Sequence, residues 1–123
     1  MRPPTVPLHF ALLSSAIFWC SPCNNHLLLQ THIDLTLMAN KEGDKAVLYE
    51  LVTVGSDFDH YLSLKPTAIE SIRVLEIKKF EADEIILFAV FTEYNTDSTE
   101  QRVYFVKLFL VPNHQSPTGY IIV

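Results

Sequence analysis

Hydrophobic and polar residues change their spacing about halfway along the chain. Between residues 24 and 51 the apolar residues include sets spaced three or four positions apart, whereas from residue 73 onward they form longer runs separated by short polar clusters. The first spacing is typical of amphipathic helices and the second of strands. We therefore predict helices followed by strands, an α+β arrangement in which the helices pack on one face of an antiparallel sheet.

The stretch from 24 to 43 fits two patterns. Its alternation of apolar and polar residues between 32 and 37 would suit a strand, while a repeat of three and four positions would suit a helix. We favour a helix because Gly43 is a typical helix terminator. The face that this helix would bury consists of Leu28, Thr31, Leu35 and Met38.

Three shorter segments follow. Asp44 is a suitable N-cap for a second helix, "KAVLYELV". The segment "GSDFDHYLSLK", residues 55–65, alternates apolar and polar residues and predicts a short strand or hairpin. "PTAIESI", residues 66–72, then predicts a short third helix, because proline is well tolerated at the first helical position.

The second half predicts long strands. "RVLEIKKF", "IILFAVFTEY" and "QRVYFVKLFLVP" are rich in branched and aromatic residues, and the reversals "EADE" and "NTDSTE" separate them. A short edge strand, "YIIV", follows Pro112. The third long strand is apolar on both faces, with Val103, Phe105 and Phe109 on one and Tyr104, Val106, Leu108 and Leu110 on the other. Such a strand is covered on both sides, by helices on one and by a partner, a pocket or another subunit on the other.

Composition narrows the class of protein. With 123 residues, 49% of them hydrophobic and 19% charged, the chain is long enough for one folded domain. A net charge of -5 with only 9 Lys and Arg argues against nucleic-acid binding. Acidic residues cluster between 81 and 100 without EF-hand spacing, so we interpret them as solvated turns and predict no metal site. These residues are Glu81, Asp83, Glu84, Glu93, Asp97 and Glu100.

Residues 1–23 have the layout of a secretory signal peptide. One early positive charge precedes an apolar run that is too short to span a bilayer, and a polar segment follows. Cleavage before Asn24 would release a secreted domain, residues 24–123, that has no cysteine and no membrane span. Translation from Met38 is the alternative, and it would give a cytoplasmic protein.

The order of these segments resembles the nuclear transport factor 2-like superfamily. The likeness is sharpest over 101–123, where "QRVYFVKLFLVP", a loop and "GYIIV" are similar to the closing hairpin of the family's transport and RNA-export members. That hairpin usually continues into Asn-Asp and an aromatic residue, so the motif is cut short at Val123. The resemblance implies a cone, in which N-terminal helices pack on a strongly curved sheet of about four to six strands. The family's cones are binding pockets in some members, active sites in others, and closed in many that dimerise through the sheet.

The resemblance also directs attention to residues that would lie in the cone. Isomerases and dehydratases of the family place an acid or base there, where apolar surroundings shift its pKa. Catalytic candidates in this chain are Asp57, Asp59, His60 and Tyr94, with Tyr61 and Tyr104 as further tyrosines. Ligand-binding candidates are Phe88, Phe91, Tyr104, Phe105 and Phe109. Because His60 would point away from both aspartates on a strand, we favour a polar turn there over a metal or catalytic cluster.

These observations predict a small non-enzymatic binding or protein-interaction domain. It would hold a small apolar ligand in the cone or a protein partner on the sheet, and it would form a homodimer because of its second apolar face. No cofactor is expected, since the chain has neither a glycine-rich phosphate loop nor a recognisable nucleophile motif. The alternatives are a lyase or isomerase with Asp57 or Asp59 as base, and a cytosolic transport or RNA-export adaptor that starts at Met38.

Overall fold

The structure, a computed structural model, describes residues 21–64, 68–94 and 100–123. Its helices are α1 (Ser21–Glu42), α2 (Lys45–Leu51) and α3 (Asp57–Leu64). Its strands are β1 (Ile69–Phe80), β2 (Ile85–Tyr94), β3 (Gln101–Pro112) and β4 (Tyr120–Ile122). The strands form one antiparallel sheet in the order β1-β2-β3-β4. The predicted α+β class is therefore confirmed.

Helix α1 confirms the prediction of a helix between 24 and 43, but the predicted buried face was wrong. Thr31 and Met38 are exposed, and the buried residues are Leu29, His32, Ile33, Thr36, Leu37 and Ala39. The true face lies one residue further along, which is a rotation of about 100° around the helix axis. Two polar residues belong to it because they are hydrogen-bonded; the Thr36 hydroxyl, for example, donates to the carbonyl oxygen of His32 at 2.8 Å.

Helix α2 begins as the sequence predicts. The Asp44 side chain accepts a hydrogen bond from the amide of Val47 at 3.3 Å, which is the role of an N-cap residue. Leu48 and Leu51 are buried. Immediately after the helix, Val52 forms a parallel bridge with Ile122, which ties α2 to the last strand.

Residues 57–64 form α3, so the prediction of a strand or hairpin there was wrong. Phe58 and Leu62 are both buried, and residues four positions apart share one face of a helix. The Ser56 hydroxyl accepts from the amide of Asp59 at 3.2 Å and so caps the first turn. Negative charge in that turn, from Asp57 and Asp59, also favours the helix.

The short helix predicted over 66–72 was also wrong in its described part. Residues 65–67 lie outside the described residues, and β1 begins at Ile69. The turn at "EADE" is confirmed, since the Glu81 amide donates to the Glu84 carbonyl at 3.0 Å. The reversal at "NTDSTE" falls mainly on residues 95–99, which lie outside the described residues.

The sheet has one covered face and one exposed face. Inward side chains of β1, β2 and β3 alternate with outward ones and pack against the helices. Among the residues that the structure describes, nothing covers the outer face at Val103 and Phe105, which are 55% and 72% exposed. The sheet is at most modestly curved, where a strongly curved one was expected. Three register shifts in β1 bend that strand locally.

A groove between α3 and β3 as the candidate functional site

An open cavity of about 610 Å³ lies between α3 and the outer edge of β3. Helix α3 contributes one wall, β2 part of the floor, and β3 the opposite wall. The lining residues are Asp57, Phe58 and Tyr61 of α3, Phe91 and Glu93 of β2, residues 104–109 of β3, and Val123. We refer to this cavity as the α3–β3 groove.

The groove exists because β4 is much shorter than β3. β4 has 3 residues, and it pairs only with the last part of β3, from Leu110 to Pro112. One further backbone bond, from the Val123 amide to the Phe109 carbonyl, extends this pairing at 3.0 Å. Within the described part of the chain, residues 101–108 of β3 have no neighbouring strand on that side.

Three aromatic rings form a rigid apolar wall. The ring centroids of Phe58 and Phe91 are 5.8 Å apart in an edge-on arrangement, and those of Tyr61 and Phe91 are 5.4 Å apart. Phe58 and Tyr61 lie almost parallel at 6.3 Å. Such offset and edge-to-face contacts are favourable and hold the rings in place. The groove therefore offers a preformed apolar surface.

The end of the groove near Glu93 is polar. This carboxylate is only 3% exposed, and the Tyr61 hydroxyl donates to it at 2.5 Å. The Tyr104 hydroxyl also reaches it, at the longer distance of 3.4 Å. Burial of a carboxylate is costly without hydrogen bonds, so these tyrosines help to stabilise its position.

The electrostatics of this end follow from the same contacts. Burial raises the pKa of the Tyr61 hydroxyl well above its usual range, because it disfavours the phenolate, and the hydrogen bond and charge of Glu93 raise that pKa further. Arg102 lies opposite Glu93 in the register of β2 and β3. Its pKa is raised mainly by its interaction with Tyr104, with a smaller contribution from the Glu93 charge. Tyr61 and Arg102 thus keep their protons at neutral pH and serve as donors.

Several candidates from the sequence do lie together in the groove: Asp57, Phe91, Tyr104, Phe105 and Phe109. Their positions differ. Asp57 is exposed at the first turn of α3, whereas Phe91 is buried in the floor. Phe105 and Phe109 lie at the mouth, where they remain 72% and 37% exposed.

The other candidates lie elsewhere. The Asp59 carboxylate accepts from the Gly55 amide at 2.9 Å and so belongs to the start of α3. His60 is exposed on α3 and does not line the groove. Tyr94 ends β2 at 45% exposure. Phe88 lies on the outer face of the sheet, with the Lys78 ammonium 5.6 Å from its ring centre.

Sequence reasoning assigned Glu93 to a solvated turn, and that assignment was wrong. A signal was present, because the inward positions of β2 alternate from Ile85 through Phe91, and the next inward position is 93. Tyr61 was identified as a candidate tyrosine but was placed on a strand. On a helix it lies three positions from Phe58, so both side chains face the groove.

In the part of the chain that the structure describes, no three His, Cys, Asp or Glu side chains are grouped so that they could hold a metal ion. Among the described helices, none is both long enough and apolar enough to span a membrane. Comparisons with known proteins found no family, no curated protein and no solved structure that matches this chain.

Proposed function

We propose that this protein is a non-enzymatic binding domain that holds an apolar ligand in the α3–β3 groove. The observation that carries this function is the groove itself, whose volume of about 610 Å³ is that of a typical ligand site. Its aromatic wall and its few polar groups at one end also match the usual make-up of such sites. The wall would supply affinity, and Glu93 with its tyrosines would fix the orientation of the ligand.

The domain would have the nuclear transport factor 2-like fold. The order of the described elements, helices first and then antiparallel strands, supports this proposal. The exposed outer face at Val103 and Phe105 would be the contact surface of a homodimer. Sedimentation velocity tests the dimer: a single monomeric species at high protein concentration would remove it.

We propose the secreted form, and the make-up of the core supports it against a product that starts at Met38. Helix α1 runs continuously through Met38, and the residues before it include the buried Leu29, His32 and Ile33. A chain from Met38 would lack this part of the core, whereas cleavage before Asn24 would retain it. Amino-terminal sequencing of the natural protein tests the proposal: a product that begins near Asn24 would support it, and one that begins at Met1 or Met38 would contradict it.

An uncharged fluorescent dye, phenylnaphthylamine, tests the binding function directly. Val106 is half-buried and lines the groove, so we expect Val106→Trp to fill the cavity and weaken dye binding by about tenfold or more. Val90→Trp is the matched control, because Val90 is also half-buried but lies on the outer face of the sheet. Equal dye binding by both variants, or none by the wild type, would contradict the proposal.

Acid–base catalysis is the second candidate, and the burial of Glu93 beside two tyrosines favours it. In an enzyme of this kind Glu93, in place of Asp57 or Asp59, would remove a proton, and Tyr104 would donate a hydrogen bond to the developing oxyanion. Nitrobenzisoxazole, a general probe for base catalysis, tests this role. Turnover that is lost in Glu93→Gln and kept in Asp57→Asn would establish it, and equal rates in both variants would exclude it.

A further inference from the structure

We infer that the α3–β3 groove binds an extended polypeptide segment, which pairs with the open edge of β3 as an additional antiparallel strand. This assignment rests on the proposed binding function and names the class of ligand. Three features of the groove support it: the backbone that lines it, the direction of the backbone hydrogen-bonding groups, and the side chains beside them.

The backbone of β3 itself forms one wall of the groove. Six consecutive residues of the strand, 104–109, line the cavity. Side chains along a strand alternate between the two faces of the sheet, so side chains alone would supply only every second residue. An unbroken run therefore means that the edge of the main chain borders the cavity.

The pairing of β4 shows which backbone groups point into the groove. On this side of β3 the Phe109 carbonyl accepts from the Val123 amide at 3.0 Å, and the Asn113 amide donates to the Gly119 carbonyl at 2.8 Å. The amide and carbonyl of one residue point to the same side of a strand, and the side alternates along it. The same groups of Val103, Phe105 and Lys107 consequently point towards the groove.

No described residue forms a backbone hydrogen bond with these groups of Val103, Phe105 and Lys107 on that side. A strand edge with free donors and acceptors is a template for another strand, and folded proteins usually cover or blunt it. Added strands are a common mode of peptide recognition, in which main-chain bonds supply affinity. The edge of β3 has the properties that this mode requires.

The side chains define the sequence of the segment. A strand in line with β4 would place its inward side chains opposite Leu108, Val106 and Tyr104, against the wall formed by Phe58 and Phe91. Those inward residues should be apolar, and the residues between them should be polar because they face outward. Residues 101–108 leave room for about eight residues, or roughly 27 Å of extended chain.

An extended segment suits this groove better than a compact molecule or a second copy of the domain. A compact apolar molecule would leave the backbone groups of Val103, Phe105 and Lys107 without partners. The edge strand of a second copy would bring its own α3 and Val123, the same elements that flank the groove here. A single free chain adds neither.

The test uses the full chain and a capped, fluorescein-labelled heptapeptide, Thr-Val-Thr-Val-Thr-Val-Thr, with binding measured by fluorescence anisotropy. If its valines face inward, its threonine amides point to β3. Methylation of the threonine amides should weaken binding at least tenfold, whereas methylation of the valine amides should change it less than twofold. Equal losses for the two methylated peptides would overturn the strand assignment.

A pair of protein variants tests the same strand pairing by altering β3 in place of the peptide. Lys107→Pro removes an amide that points into the groove and leaves the bonds between β2 and β3, and we expect it to weaken peptide binding at least fivefold. Lys107→Ala loses the same side chain but keeps the amide, so its peptide binding should stay at least fivefold tighter than that of Lys107→Pro, and equal binding by the two folded variants would overturn the strand assignment. Should Lys107→Pro fail to fold, the methylated peptides on the wild type still decide the matter.

Measurement of dye binding in the same samples separates the two proposals. Dye binding without peptide binding would overturn the strand assignment and leave the apolar site in place. If the wild type bound neither the dye nor the peptide, the proposed binding function would be removed. Hydrogen exchange identifies self-pairing: protection of the Val103, Phe105 and Lys107 amides that rises with protein concentration, without peptide, would mean that a second copy occupies the edge, and it would overturn the assignment.

Discussion

Among the residues that the structure describes, two ionisable side chains are buried, His32 and Glu93, and their surroundings differ. His32 is completely buried between α1, α2 and the loop before β4, and both ring nitrogens are hydrogen-bonded. Glu93 is almost as buried, but it lines the α3–β3 groove, and one of its tyrosine contacts is long. Burial alone therefore does not identify a functional group. What distinguishes Glu93 is the adjacent cavity.

The hydrogen bonds of His32 fix its state. The Leu51 carbonyl can only accept, so Nε2 carries the proton in the bond between them, which is 2.9 Å long. In the neutral ring Nδ1 is then an acceptor, and the Thr118 hydroxyl donates to it at 2.5 Å. The ring thereby links three separate parts of the chain. We assign His32 a structural role and Glu93 a functional one, and the following predictions test that difference.

The largest effect should come from removing the His32 ring. His32→Ala would leave a cavity and remove the partners of Leu51 and Thr118, so we expect it to lower the free energy of unfolding by about 3 kcal/mol. Urea unfolding measures this change. His60→Ala is the control, because His60 is exposed, and its effect should be within about 0.5 kcal/mol. Similar losses in the two variants would contradict the structural role.

Low pH should lower the stability of the fold through His32. Burial lowers the pKa of His32 below its ordinary value of 6.5, since the charged ring is poorly solvated there. The unfolded chain then binds the proton more readily than the folded one, so stability is full above pH 6.5 and falls as the pH drops below it, by at most about 1.4 kcal/mol per pH unit. Unfolding curves between pH 7 and pH 5 measure this dependence. It should flatten in His32→Gln and persist in His60→Gln.

The strands, helix α3 and the two buried residues show what the sequence could and could not predict. Long apolar runs bounded by turns gave the strands correctly. Helix α3 was missed because Phe58 and Leu62 are four positions apart, and a spacing of four also satisfies an alternation of two. His32 was missed as a core residue because its polarity conceals its burial. Glu93 could have been found from the alternation along β2, but the groove beside it depends on where β4 ends relative to β3, which involves long-range pairing.

Loss of the Tyr61 hydroxyl should have a moderate effect on stability. Tyr61→Phe keeps the aromatic wall but removes the donor to Glu93, so we expect it to lower the free energy of unfolding by about 1 kcal/mol. Tyr49→Phe is the control, because the structure gives the half-buried Tyr49 ring a cation contact with Lys45 that does not need the hydroxyl. Thermal unfolding compares the two. An equal effect of both variants would mean that the hydroxyl of Tyr61 does not help to hold Glu93.

The smallest effect on stability is expected for Glu93→Gln, since the amide oxygen can still accept from Tyr61, and the change should be below about 1 kcal/mol. Its effect on Tyr61 should nevertheless be clear. The pKa of Tyr61 is raised by burial and also by the hydrogen bond and charge of Glu93, so removing that charge should lower this pKa while burial keeps it above the ordinary value. Ultraviolet absorbance during alkaline titration measures tyrosinate formation, with Glu76→Gln, an exposed glutamate on β1, as control. If the tyrosine titration is the same in both variants, Glu93 does not influence the hydroxyls at the polar end of the groove. Its position beside the cavity would then be the only feature that distinguishes it from a structural residue such as His32.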